Sequence, residues 1–418
     1  MAANRQSLVL SGYYGFKNSG DEAVLKSILL ALEEEGAKQG VLIAPIVLSA
    51  DPAWTEKMYG IQAIHRMKPL EVISAIRNSH GLISGGGSLL QDITGSMTIP
   101  YYLGILKLAQ WTGKPTFIYS QGIGPVHRKN LFPLICHTFN KCQYVSVRDR
   151  ESAELLHNMG FSAGKVEVVP DPVMGLPLRL QKNMNVEKQP SHPRPIIGVS
   201  VRYWNKDRSE LEQLARCLQI IIEQREVEIR FLPFHLPTDV SASHEVIERM
   251  KVYCQPNEPD DFIYQKVYNR SFNDISQVNG FASKDGTSRL SLRKSSVLVV
   301  KDVLHPQDML AQVSQCDVLI GMRLHSLIYA ASQYVPMAGI SYDPKIDQFL
   351  HRLQITAAAS TEAFQPEKTA AEVFKLLDTP RLEWLAAKRS LIDQLKVEAQ
   401  QPAKRIVTFL RNKLNNVK

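Results

Sequence analysis

"SLVLSGYYGFKNSGDEAVLKSILLAL", residues 7–32, is an apolar strand that breaks into a glycine-bearing turn and then a helix. Leu8, Val9 and Leu10 form a short continuous apolar run, as a parallel strand buried on both faces requires. Gly12, Gly15 and Gly20 punctuate the turn that follows. Ser19 and Glu22 fit a capping box, and Leu25, Ile28, Leu29 and Leu32 recur at helical spacing, so a helix is expected from near Gly20 with one stripe buried. Free backbone N–H groups and the positive end of a helix dipole suit such a junction to an anion. The glycines match neither the dinucleotide fingerprint GxGxxG nor a phosphate loop ending in Gly-Lys-Ser/Thr.

The same alternation runs outward from this unit. VLIAPIVL (41–48), GLIS (81–84), PTFIYS (115–120), QYVSV (143–147) and VEVVP (166–170) read as further strands with amphipathic segments between them. A polar, proline-bearing stretch then interrupts the pattern, which restarts with PIIGVSV (195–201), VEIRFLPF (227–234), SVLVV (296–300), DVLIG (317–321) and VPMAGIS (335–341). The expected organisation is a first Rossmann-like domain over 1–178, a linker over 179–195 and a second such domain over 196–380. A surface insertion at about 255–295 and a basic helical segment over 381–418 complete it. Two open parallel sheets each bind ligands beyond the carboxyl ends of their strands, so the active site is expected in a cleft between the domains.

Composition narrows the class. With 44% apolar and 22% charged residues in 418, the chain has enough apolar material for two full cores and is that of an ordinary soluble globular protein. No apolar run reaches membrane-spanning length, and Cys136, Cys142, Cys217, Cys254 and Cys316 lack CxxC spacing, so a reducing cytoplasmic setting is expected. The net charge of +8 is uneven: residues 381–418 hold nine Lys/Arg against three Asp/Glu, a balance of +6. That tail could rest peripherally on the inner face of an anionic membrane. No nucleic-acid partner is expected.

Polar clusters fall where strands end. SGGGSLLQD (84–92) offers the backbone of Gly85, Gly86 and Gly87; YSQGIGPV (119–126) brings Gln121; SVRDRES (146–152) places Arg148 and Arg150 around Asp149, a candidate helix cap. In the second half GMRLHSLIYAAS (321–332) puts Arg323 and His325 at the start of an apolar helix. GISYDPKIDQF (339–349) brings Lys345, and FLPFHLPTD (231–239) brings His235 and Asp239. Arg, His and Lys converging on one pocket suit a small, highly charged ligand such as a phosphate ester bearing a carboxylate. Paired metal-ligand spacing is lacking, so no metal is expected.

Taken together, GYYGFKNSGDEAVL, SGGGSLLQD, YSQGIGP, SVRDRES, PDPV (170–173), GMRLHSLIYA and SYDPK resemble the polysaccharide pyruvyl transferase family over roughly residues 7–355. The resemblance implies a fold like that of GT-B glycosyltransferases, with the acceptor on the first domain and phosphoenolpyruvate, a co-substrate and not a cofactor, on the second. The implied product is a 4,6-ketal on a hexose or lipid-linked N-acetylhexosamine, in cell-wall or surface polysaccharide biosynthesis. By position in the motifs, Arg148, His325 and Lys345, with Arg323 beside them, match donor-binding residues, and Asp239 matches the acid. Asp239 and His325 are the catalytic candidates. Gly12, Gly15, Asp21, Gly85, Gly86, Gly87 and Gln121 then form the acceptor-side loops. Two other readings share parts of the pattern: a GT-B glycosyltransferase using a nucleotide sugar, for which Asp343 and Asp347 are available to a ribose, and a non-catalytic carbohydrate-binding protein.

Overall fold

The computed structural model describes residues 5–93, 95–178, 194–253, 263–264, 295–301 and 303–416. The expected linker at 179–195 and the insertion at 255–295 lie almost wholly outside the described residues. Strands β1 (Arg5–Ser11), β2 (Leu42–Ser49), β3 (Gln62–His65), β4 (Gly81–Gly85), β5 (Thr116–Gln121), β6 (Tyr144–Val147) and β7 (Glu167–Val168) form one sheet, in the order β3-β2-β1-β4-β5-β6-β7. Strands β8 (Ile196–Ser200), β9 (Glu228–Phe231), β10 (Ile263–Tyr264), β11 (Ser296–Val299), β12 (Val318–Gly321), β13 (Met337–Ser341) and β14 (Ala359–Ser360) form the other, in the order β10-β11-β9-β8-β12-β13-β14. Every pairing in both sheets is parallel. Strand order reverses between β1 and β4 in the first sheet and between β8 and β12 in the second, and the crevice at such a reversal is where open parallel sheets hold ligands.

Helices α1 (Ser19–Gln39), α2 (Pro52–Tyr59), α3 (Pro69–Asn78), α4 (Thr98–Trp111), α5 (Phe132–Phe139) and α6 (Arg150–Asn158) connect the first sheet. Helices α7 (Ser209–Gln224), α8 (Thr238–Tyr253), α9 (Pro306–Ser314), α10 (Leu324–Ser332), α11 (Pro344–Arg352) and α12 (Pro366–Asp378) belong to the second. The central strands are buried on both faces, which is why they read as continuous apolar runs: Leu8, Val9 and Leu10 have no exposed surface. The short edge strands β3, β10 and β14 carry no such run, and sequence patterning passed over them.

The start of α1 differs from the capping box expected. Asn18, not Ser19, is the cap, its Oδ1 accepting from the Gly20 N–H at 3.1 Å. Glu22 reaches back past the cap into the loop, where its Oε1 accepts from the Gly15 N–H at 2.8 Å and its Oε2 accepts from the Tyr59 hydroxyl at 2.8 Å. The turn after β1 therefore wraps a carboxylate of its own helix. Burial pushes Glu22 up to about 6, against the hydrogen bonds from Tyr59 and the Gly15, Lys17 and Phe16 amides.

Each domain has an apolar core of its own, and a further cluster spans both. Val24 and Ile28 of α1, Leu327 and Tyr329 of α10 and the end of the chain belong to a single buried cluster. Helices α13 (Arg381–Ala399) and α14 (Gln401–Asn415) divide at Gln400 just before Pro402, and α14 buries Ile406, Val407 and Leu410 against the α1 side of the first domain. Phe409 meets Phe117 of β5 edge-on at 5.4 Å, so the basic segment crosses back onto the first domain. Among the described residues no helix is long and apolar enough to cross a membrane.

Candidate functional site

Two helix starts meet where the domains touch. The Ser19 N–H donates to the Phe234 carbonyl at 2.9 Å, Asn18 bridges to His235, and the Tyr329 hydroxyl donates to the Ser19 carbonyl at 3.4 Å. Gly20 lies under His325: a Cβ there would stand 2.3 Å from Nδ1 of the imidazole. Only glycine lets the second domain's histidine approach the α1 terminus so closely.

Around that contact the structure gathers Asp21, Arg148, Asp171, Arg323, His325 and Lys345. Arg148 follows β6 and is buried; its Nη2 donates to Ser88 Oγ at 2.7 Å, Nε stands 3.4 Å from Asp149 Oδ2, and Nη1 stands 3.7 Å from Asp171 Oδ2. Asp149 caps α6 as expected, accepting from the Ser152 N–H at 2.8 Å, and Arg352 of α11 donates to the Arg148 carbonyl at 3.0 Å across the interface. His325 Nε2 stands 3.7 Å from the same Asp171 oxygen. Both of those buried atoms, Asp171 Oδ2 and His325 Nε2, lack a hydrogen-bond partner, a costly state for polar groups in a protein interior and one that points to a ligand contact. Lys345, in the first turn of α11, pairs with Asp343 at 3.0 Å and shares a crevice with Arg148 and Asp171.

The charges act on one another. Burial pushes His325 down to about 4; Asp171 opposes this, while Arg148, Lys345 and Arg323 push the same way, so the imidazole is neutral near pH 7. Burial lifts Asp21 to about 7, the nearby Glu22 and Asp171 carboxylates add to the rise, and Arg148 and Arg323 oppose it. Asp21 therefore exchanges its proton near neutrality, although two cations stand close to it.

Asp239 has a setting that the acid role expected from the resemblance does not fit. Arg323 grips it with two bonds, Nε to Oδ2 at 2.6 Å and Nη2 to Oδ1, and the backbone N–H groups of Phe234 and His235 also donate to Oδ2 at 3.1 and 2.9 Å. With four donors on its two oxygens, Asp239 anchors Arg323 and the turn before α8. Arg323 in turn occupies the N-cap position of α10, ahead of His325, with its side chain turned to Asp239 and not to the helix backbone.

The loop residues divide by task. Gly86 and Gly87 adopt φ of +52° and +72°, and a Cβ on Gly86 would stand 1.8 Å from Val24, so this turn after β4 can press onto α1 only as glycine. A Cβ on Gly87 would stand 3.0 Å from Asp21 Oδ1, which puts that backbone beside the site. Gly85 accepts from the buried Tyr14 hydroxyl at 3.0 Å, and Gly12 accepts from Arg66 at 3.3 Å. Gln121 is fully buried, with Oε1 accepting from Ser84 at 3.2 Å, and Gly15 faces Glu22; these two lie behind the site surface. Asp171 is a site residue outside the sequence-based candidates; an acid between two prolines at a strand end, in PDPV, is the signal the sequence offers for it. Asp343 and Asp347 are already engaged, by Lys345 and by the Ser341 hydroxyl at 2.5 Å. Among the described residues no group of three or more His, Cys, Asp or Glu side chains could hold a metal ion.

Two parallel-sheet domains with charged side chains gathered beyond the ends of their strands define the class: a GT-B-type two-domain α/β protein. Similar solved structures include a glycosyltransferase from Rickettsia africae (TM-score 0.59, 12% identity, 97% of this chain and 99% of that one). The UDP-GlcNAc 2-epimerases from Methanocaldococcus jannaschii (TM-score 0.56, 12% identity, 97% and 99% covered) and Neisseria meningitidis (TM-score 0.54, 9% identity, 99% and 100% covered) are similar too. At such identity the likeness is one of fold. No curated protein matches the chain. The model of the polysaccharide pyruvyl transferase family matches residues 18–344, and the chain belongs to that family.

Proposed function

We propose that this transferase moves the pyruvyl group of phosphoenolpyruvate onto two hydroxyls of one sugar, as a 4,6-ketal on a lipid-linked hexose or N-acetylhexosamine, in the cytoplasm and for a cell-wall or surface polysaccharide. The observation that carries this reading is the meeting of Arg148, Arg323, His325 and Lys345 with a proton-holding carboxyl, Asp21, at one interface. Phosphoenolpyruvate carries a carboxylate and a phosphate on the same carbon, which suits a site with several cations.

Chemically, the methylene carbon of the donor takes a proton and C2 becomes cationic. One sugar hydroxyl adds to C2 and loses its proton, phosphate departs, and the second hydroxyl adds and loses its proton. In this scheme Arg148 and Lys345 hold the carboxylate and phosphate, stabilising charge where it develops. Asp21, not Asp239, delivers the proton, because it retains one near neutrality and carries no hydrogen bond or ion pair among the described residues. His325, neutral before the donor arrives, accepts a proton from a sugar hydroxyl or from solvent and then pairs with phosphate. Arg323, fixed by Asp239, keeps a positive charge beside both.

The test is phosphate release from phosphoenolpyruvate with a lipid-linked disaccharide as acceptor and nucleotide sugars as controls. Release that depends on the acceptor, with a carboxyethylidene mass increment on the sugar and persistence in EDTA, is expected. Turnover of a nucleotide sugar instead would assign the cleft to glycosyl transfer.

A further inference from the structure

The first domain's wall of the cleft carries an aromatic surface that the scheme above does not use. Tyr13 and Phe16, both in the loop after β1, stack face to face with ring centroids 3.9 Å apart and an interplanar angle of 6°. They are 41% and 38% exposed, although aromatic rings of this size normally bury most of their surface. Arg66, just past β3, holds them out: its guanidinium lies 5.4 Å from the Phe16 centroid and 4.4 Å from that of Tyr101. The same group donates to the Gly12 carbonyl at 3.3 Å and the Tyr102 hydroxyl at 3.4 Å, while the Tyr101 hydroxyl donates to the Arg66 carbonyl at 3.2 Å. The stack is thus a braced surface and not a loose loop tip. The loop leads directly into α1, whose first turn carries Asp21, and the Asp21 carboxylate acts on the Tyr13 hydroxyl.

We propose that the Tyr13–Phe16 stack is the floor of the acceptor subsite, taking the C–H face of a pyranose ring and turning that ring's hydroxyl edge toward Asp21. This inference rests on the pyruvyl-transfer reading and names where its sugar lies. The fit is one of chemistry. A pyranose has an apolar C–H face, which the negative face of an aromatic ring attracts, and a rim of hydroxyls that needs polar partners. Here the surroundings are polar: the Asp21 carboxylate acts on Tyr13, and Lys17, next in the chain to Phe16, pairs with Asp51 at 3.6 Å. A lipid tail would gain nothing from those surroundings. Because the stacking face must be unbroken C–H, a ring with an axial hydroxyl on that face should bind less well, and the loop then contributes to acceptor choice.

The experiment uses the full chain and saturation-transfer NMR with methyl β-D-glucopyranoside and methyl N-acetyl-β-D-glucosaminide as probes. Ring C–H signals are expected with the parent protein. Apparent affinity should fall about tenfold in Tyr13→Ala and in Phe16→Leu, which keeps apolar volume but removes the ring, and should survive in Phe16→Tyr. Trp111→Ala, at the far end of α4 and 77% exposed, should change nothing. Phosphoenolpyruvate binding by calorimetry, run on the same proteins, should be unaltered throughout. Absence of glycoside signal in the parent, or signal unchanged in both Tyr13→Ala and Phe16→Leu, overturns the platform. Failure of phosphoenolpyruvate to bind the parent overturns the donor reading alone and leaves the platform to be judged on the glycosides.

Discussion

The heads of α1 and α8 meet across the domain interface, and each carries an aspartate in its first turn, Asp21 and Asp239. In sequence the two look alike: an acid at a helix start beyond an apolar strand. In the structure, Asp239 is saturated by a guanidinium and two backbone amides, whereas Asp21 stands among charges of both signs, Glu22 and Asp171 against Arg148 and Arg323, and among the described residues it has no donor at all. One is an anchor, and the other is left free to exchange a proton. A carboxylate's role follows from how many donors surround it, which its place on a helix does not determine.

Removing the anchor is the harshest way to break this contrast. Asp239→Ala leaves Arg323, only 15% exposed, without its counter-charge, and breaking a buried pair from one side costs about 3–5 kcal/mol. Chemical denaturation should show a loss of that order. Asp21→Asn, one interface away, should show none. Comparable losses in the two variants would mean that both acids are structural.

The next largest effect is on turnover. Asp21→Asn is expected to cut the rate by about 10²–10⁴, the usual contribution of a positioned acid, while phosphoenolpyruvate still binds. Its stability should change in the opposite sense to its activity. Asp21 has a folded value near 7 against an ordinary value of 3.8, so between those two the folded chain holds a proton that the unfolded chain releases. Stability from this group therefore falls as pH rises toward 7 and stays low above it. Asn escapes that penalty, so the melting temperature of Asp21→Asn should exceed the parent's most at pH 8, with the gain shrinking as pH falls toward 4. A gain that grows on acidification would contradict the assignment.

Donor contacts come third. Arg148→Ala and Lys345→Ala should each lose on the order of 2–4 kcal/mol of transition-state stabilisation, at least a tenfold fall in kcat/KM, without unfolding. His325 sharpens the point through protons. Its folded value near 4 leaves the imidazole neutral at pH 6–7, and a bound dianion must raise that value. Phosphoenolpyruvate binding should then take up protons, read as a calorimetric enthalpy that varies with the buffer's ionisation heat, and His325→Gln should abolish the variation. Buffer-independent heats in the parent would show that His325 stays neutral in the complex.

Much of this was legible in the sequence because it depended on local pattern. Continuous apolar runs gave the central strands, and Arg148, His325 and Lys345 fell at strand ends because open parallel sheets place their ligands there. What pattern could not supply was partnership. That Glu22 fills the turn after β1, that Asp239 belongs to Arg323, and that Gly20 exists to admit His325 all depend on contacts between segments far apart in the chain. The same holds for Asn18, which caps α1 while Glu22 bonds to Gly15 and Tyr59.

The smallest effect expected concerns the basic end of the chain, where a contrast of the same kind recurs. The apolar stripe of α13 and α14 is used internally: Trp384, Ile392, Leu395, Ile406, Val407 and Leu410 are buried, and among the described residues of the pair the exposed Leu382 and Val397 of α13 stand apart from that stripe. Any hold on a membrane must come from charge alone. Several cations already have company, Arg405 near Glu167 at 3.6 Å, Arg389 near Asp393 at 3.6 Å and Lys388 on the Gln354 carbonyl at 2.9 Å, yet the segment keeps its +6 balance. Each cation close to an anionic surface contributes about 1 kcal/mol, and that attraction fades within a Debye length. Full-length protein should therefore co-sediment weakly with anionic vesicles at low ionic strength and not with neutral ones. A variant with Lys388, Arg389, Lys404 and Arg405 changed to Gln should lose that binding, as should the parent at high salt, while its stability shifts by no more than about 0.5 kcal/mol, the usual scale for exposed sites. Equal, negligible sedimentation in every condition would make the helix pair a clasp between the two domains and nothing more.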